Sequence, residues 1–122
     1  MTRLLAVGAG GFLGAIARWG VSLLVARYWT RDFPLGTLLI NVTGSFVLGL
    51  FSTLAAEKLA LGPGWRLFVA TGFVGAYTTF STFEYETQRL VETGAAAWAF
   101  VYVTASVAAG FAAVRLGVAL AR

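Results

Sequence analysis

Four apolar stretches follow one another along this chain, and only short polar joints separate them. They cover about residues 4–26, 34–61, 65–91 and 95–121, with joints at Arg27–Phe33, Gly62-Pro63-Gly64 and Val91–Gly94. A helix rises about 1.5 Å per residue, so roughly 20 apolar residues cross a hydrocarbon core of about 30 Å. Hydrophobic residues make up 59% of the chain and charged residues 11%, whereas a soluble domain carries about 25% charged residues. This composition cannot cover a surface that faces water on all sides. The pattern predicts an all-α integral membrane protein, one transmembrane domain over residues 1–122, whose consecutive helices are antiparallel neighbours because the joints are short.

The start of the chain admits a second reading. Arg3, an apolar run and Ala15-Ile16-Ala17 together have the layout of a secretory signal with a small-residue cleavage site. Gly8, Gly10, Gly11 and Gly14 in that run suit close helix packing better than a disposable leader.

Nine Lys and Arg stand against five Asp and Glu, a formal charge of +4. The basic residues lie singly at helix ends rather than in a cluster, which argues against nucleic acid as a partner. The chain has no Cys and no His, so thiolate metal sites, disulfides and histidine acid–base chemistry are excluded. With four spans, Arg3, Lys58, Arg66, Arg115 and Arg122 fall on one side and Arg18, Arg27, Arg31 and Arg89 on the other. The Lys/Arg bias that normally fixes orientation is almost absent. Insertion in both orientations, giving an antiparallel homodimer, follows as one of two expectations; the other is a topology fixed by some different signal.

Spans this short leave little room for a polar pathway inside one subunit, so polar residues within them mark the place to look. Thr37, Asn41 and Ser45 recur every four residues and share a helical face. An Asn at membrane depth needs a partner. It acts either as an interhelical hydrogen bond or as a donor lining an anion path. Gly72 to Phe83 places two glycines and a Thr-Thr-Phe-Ser-Thr-Phe run inside an apolar segment, which is poor helix material. A break at that depth is tolerated only where the freed backbone is buried or lines a cavity, and there carbonyls can hold a cation. Phe80 and Phe83 share a face. They are ordinary packing unless their electropositive ring edges meet an anion. Tyr102, Ser106 and Gly110 form a small-residue seam with two hydroxyls. Arg18 beside Trp19 is either a snorkelling interfacial pair or a charge that draws anions to a vestibule.

Gly10 to Trp19, Gly36 to Phe46 and Gly72 to Phe83, the last ending in Thr78-Thr79-Phe80-Ser81-Thr82-Phe83, resemble the three signatures of the Fluc fluoride channels, also called CrcB. The likeness extends over all four spans in order. It implies passive fluoride export across a bacterial inner membrane by a dual-topology antiparallel homodimer with two pores. It also implies a structural sodium ion at the dimer centre, held by the backbone carbonyls of Gly75 and Thr78 at a break near residues 75–79. Phe80 and Phe83 would be the pore phenylalanines and Asn41 the pore asparagine. Thr37, Thr82, Glu86, Tyr102 and Ser106 would match the polar track, and Arg18 the vestibule arginine. Gly110 stands where some relatives have a serine, so that end of the track would rely on water or backbone.

Physical chemistry points the same way. Fluoride is small and strongly hydrated, so a pore must replace its water with amide and hydroxyl donors, and a strong fixed charge would trap it. A proton-coupled exporter of the small multidrug type is the competing reading, but it needs an embedded carboxylate and the first span has none. An enzyme would need an acid–base pair or an activated nucleophile, and the spans offer neither.

Overall fold

The computed structural model describes residues 1–122 and is all-helical, with no strand. Helix α1 is Thr2–Tyr28 and α2 is Leu35–Glu57. A short α3, Pro63–Arg66, runs directly into a π-helical segment, Leu67–Val74, and then into α4, Gly75–Tyr77. After two non-helical residues come α5, Phe80–Glu92, and α6, Ala96–Ala121. Helices α1, α2 and α6 are each long and apolar enough to cross a membrane. The third apolar stretch is divided among the π-helical segment, α4 and α5.

Local chemistry sets most of the boundaries. Pro63 occupies the first turn of α3, where its missing N–H costs nothing. Gly94 at φ 81° follows α5 and supplies the left-handed residue that commonly ends a helix. Trp29 leaves α1 in extended conformation, and its indole N–H donates to the Phe33 carbonyl at 2.8 Å, which folds the first joint back on itself. Helix α2 ends at Glu57, four residues before the apolar run does. The run alone could not place that end, because Leu59 and Leu61 are apolar outside the helix.

Two close packings organise the bundle. Helix α1 lies against the π-helical segment, and α2 against α6. A Cβ on Gly10 would collide with the Phe68 carbonyl, and one on Gly14 with the Phe73 carbonyl. Backbone thus meets backbone at both points, and only glycine allows it. Of the four early glycines, Gly10 and Gly14 therefore serve close helix packing, Gly11 makes only ordinary contacts, and a Cβ on Gly8 would meet nothing within 4 Å. Gly49 and Gly117 make the same kind of approach between α2 and α6.

Only 18 of 122 residues are buried, while Leu4, Phe12, Trp19, Phe100, Phe111 and Leu120 are exposed. An apolar surface of that extent is solvated by lipid or by another protein, not by water. The chain is a membrane protein.

Candidate functional site

The site is built around the break in the third stretch. Gly75 keeps helical dihedrals, and the departure comes at Thr78 (φ −79°, ψ 157°) and Thr79 (φ −149°, ψ 115°). In an unbroken helix the Thr79 N–H would bond the carbonyl of Gly75, four residues back. Instead it donates to Asn41 Oδ1 at 2.8 Å, and Asn41 Nδ2 donates to the Thr79 carbonyl at 3.1 Å. The carboxamide of α2 therefore takes the place of a backbone turn. Thr78 Oγ1 returns to the Val74 carbonyl at 2.9 Å, which closes the helix before the break.

Helix α5 restarts with a side-chain cap. Thr79 Oγ1 accepts from the Thr82 N–H at 3.3 Å and donates to Thr82 Oγ1 at 3.0 Å. A threonine in extended conformation three residues before another hydroxyl is a favourable N-cap. It fixes the direction of α5 and so the positions of Phe80, Phe83 and Glu86.

From the break outward runs a chain of packed aromatic rings. Phe80 and Phe83 have centroids 5.9 Å apart, tilted 56°. Phe83 meets Tyr102 edge-on at 5.0 Å, and Tyr102 meets Phe33 edge-on at 5.5 Å. Phe83 and Tyr102 are buried, whereas Phe80 is 75% exposed and turns outward from the single chain. The Tyr102 hydroxyl donates to Glu86 Oε1 at 3.1 Å.

Two cavities flank this run. The smaller, about 240 Å³, is lined by Asn41, Ser45, Thr78, Thr79 and Phe80 among others. The larger, about 430 Å³, includes Thr37, Glu86, Arg31, Asp32 and Arg89 in its lining. Of the residues singled out in the sequence, Asn41, Thr78 and Phe80 thus share one cavity, and Thr37 and Glu86 share the other. Phe83 and Tyr102 lie in the aromatic run, while Thr82 is tied to the cap. Ser106 Oγ is buried without a hydrogen-bond partner. Gly110 leaves Ser45 Oγ 3.8 Å from where its Cβ would sit. Arg18 on α1 lines neither cavity and makes no ion pair.

A cation could be held near the break only by carbonyl and hydroxyl oxygens, because no group of three or more His, Cys, Asp or Glu converges anywhere in the chain. Gly75 is exposed, and its carbonyl has lost the Thr79 N–H to Asn41. That is the kind of freed, accessible oxygen a hard monovalent ion accepts.

Sequence reading did not assign Thr79 or Phe33. Thr79 carried a usable signal, a threonine three residues before another at the start of a helix. Phe33 carried none, since its contacts are with residues far along the chain.

Comparison with known proteins identifies the family. The family model described as CrcB-like protein, Camphor Resistance (CrcB), matches residues 5–118. The fluoride-specific ion channel FluC of Acidobacterium capsulatum is 48% identical over 115 residues, which covers 94% of this chain and 92% of that protein. The protein of the same name from Hydrogenovibrio crunogenus is 46% identical over 116 residues, covering 95% and 88%. That from Chlorobaculum tepidum is 45% identical over 122 residues, covering 100% and 96%. A match of this extent, over the helices that build the break and both cavities, places the chain in the CrcB family.

Proposed function

We propose that this protein is a fluoride channel, not an enzyme, that lets fluoride leave the cell passively across the bacterial inner membrane. The observation that carries the reading is the packed run Phe80–Phe83–Tyr102–Glu86 beside a helix break pinned by Asn41. Ring edges are weak positive partners, and they recur along the run without a fixed cation at its centre. A strongly hydrated anion can exchange water for such partners and still leave them. Asn41 uses one Nδ2 hydrogen on Thr79, and the other is free for an anion in the smaller cavity. The buried, unpartnered Ser106 hydroxyl is a further donor of the same kind.

The working unit is an antiparallel homodimer of four-span subunits. Thr71, Gly75 and Ser81 are exposed on a single copy although they lie within apolar stretches. Polar groups at membrane depth require a protein or water partner, and a second copy supplies one. The same pairing covers Phe80 and brings two sets of Gly75 and Thr78 carbonyls together. Those oxygens would hold one sodium ion, whose charge would stiffen the interface and raise the potential felt by a nearby anion.

Fluoride efflux from liposomes containing only this protein tests the reading. Rapid efflux without a proton gradient is expected, and its absence would overturn the proposal. Replacing sodium with N-methyl-D-glucamine throughout should lower both flux and thermal stability of the dimer. Unchanged values would remove the sodium ion from the scheme.

A further inference from the structure

The larger cavity holds charges that the pore run does not use. Arg31, Asp32 and Arg89 line it together with Glu86, and neither arginine forms an ion pair; the single ion pair in the chain joins Arg122 to Glu57. Arg31 is not free to wander. Its guanidinium lies over the Trp29 ring at 5.8 Å, and the Trp29 indole is anchored on the Phe33 carbonyl at 2.8 Å. The Phe33 ring in turn packs edge-on against Tyr102 at 5.5 Å. Arg31 is therefore tied through Trp29 and Phe33 to the tyrosine that donates to Glu86.

We propose that this cavity is an anion-loading mouth in which Arg31, preorganised by Trp29, and Arg89 gather small anions and present them to Thr37. The inference rests on the channel reading. Asp32 and Glu86 in the same wall oppose the two cations, so the mouth concentrates anions without a deep well. Glu86 is partly occupied by the Tyr102 hydroxyl, which leaves Asp32 as the carboxylate that most directly offsets Arg31. A fixed charge at a water-filled mouth acts through local concentration, and mobile ions screen it. This mechanism has a signature that a packing role lacks.

The experiment measures fluoride flux through the full-length protein in liposomes at about 0.01 M and at about 1 M inert salt, where the screening length falls from about 30 Å to about 3 Å. The double variant Arg31→Gln, Arg89→Gln should lose about threefold or more of the low-salt flux and little of the high-salt flux. Arg31→Lys with Arg89→Lys should retain it. Asp32→Asn should change flux in the opposite sign, raising it at low salt only. An equal loss at both salts, or no change at low salt, would overturn the mouth. If the double variant does not fold, Asp32→Asn decides alone, and no rise at low salt rejects the proposal. A conducting wild type with salt-independent variants removes only this inference, whereas a silent wild type removes the channel reading as well.

Discussion

Asn41 bonds both the N–H and the carbonyl of Thr79, a residue 38 positions further along the chain. The orientation of its amide is dictated by chemistry, since an N–H can only meet Oδ1 and a carbonyl can only meet Nδ2. Of the two roles the sequence left open for Asn41, the interhelical hydrogen bond is present, and it is the clamp that keeps the third stretch broken; the pore-donor role is the proposed one.

Asn41→Asp separates these roles. It keeps the acceptor for the Thr79 N–H but sets an oxygen against the Thr79 carbonyl, leaving that carbonyl without its donor. A loss of about 1–3 kcal/mol in stability is expected, together with loss of fluoride efflux. Thermal unfolding in detergent and liposome efflux measure the two. Full efflux from the variant would show that the clamp is dispensable.

Phe80→Ile and Phe83→Ile should both abolish most flux but differ in stability. Ile is apolar and of comparable bulk yet has no electropositive edge. Phe83 is buried against Tyr102, so its replacement should also cost about 1 kcal/mol or more of stability. Phe80 is exposed in one chain, and its replacement should leave the subunit fold intact. Wild-type flux in both variants would end the ring-edge account.

Gly10→Ala and Gly14→Ala should damage the fold, because the added methyl would strike the Phe68 and Phe73 carbonyls, which have no rotamer with which to yield. Overpacking of this kind costs about 1–3 kcal/mol. Gly8→Ala, with nothing within 4 Å of the new methyl, is the matched control and should behave as wild type. Size-exclusion profiles and melting temperatures distinguish them.

The absence of native cysteine makes topology directly measurable. Single cysteines introduced at either terminus should react with a membrane-impermeant thiol reagent from both sides of the membrane in cells. Reaction from one side alone would reject the antiparallel pair.

Much of this architecture could be read from the sequence, and the remainder divides along physical lines. Three of the four stretches emerge as long apolar helices because hydropathy and length suffice to define them. The threonine-rich run announced a discontinuity, since β-branched residues and glycine weaken a helix locally. The break falls inside the expected 75–79 window, but that Thr78 and Thr79 leave the helix while Gly75 stays in it was not legible. Thr78 continues the preceding helix through its own hydroxyl, and the alternative partner for Thr79 comes from α2. Propensity is local, and that partner is not. The π-helical turns were likewise invisible, for Leu67–Val74 reads as part of one apolar run, and its neighbour α1 lies far away in the sequence.

Those π-helical turns carry a consequence for how this chain can change length. Each hydrogen bond there spans one residue more than in an α-helix, so the stretch stores surplus chain before the break. Removing a single residue between 67 and 74 would let the turns relax to α geometry, and Thr79 would stay close to Asn41, because the lost residue is the one the wide turns had absorbed. A deletion in regular α-helix has no such reserve, and everything downstream of it turns by about 100° about the axis. The π-helical stretch is thus a slack segment, able to lose a residue while the second half of the protein keeps its phase.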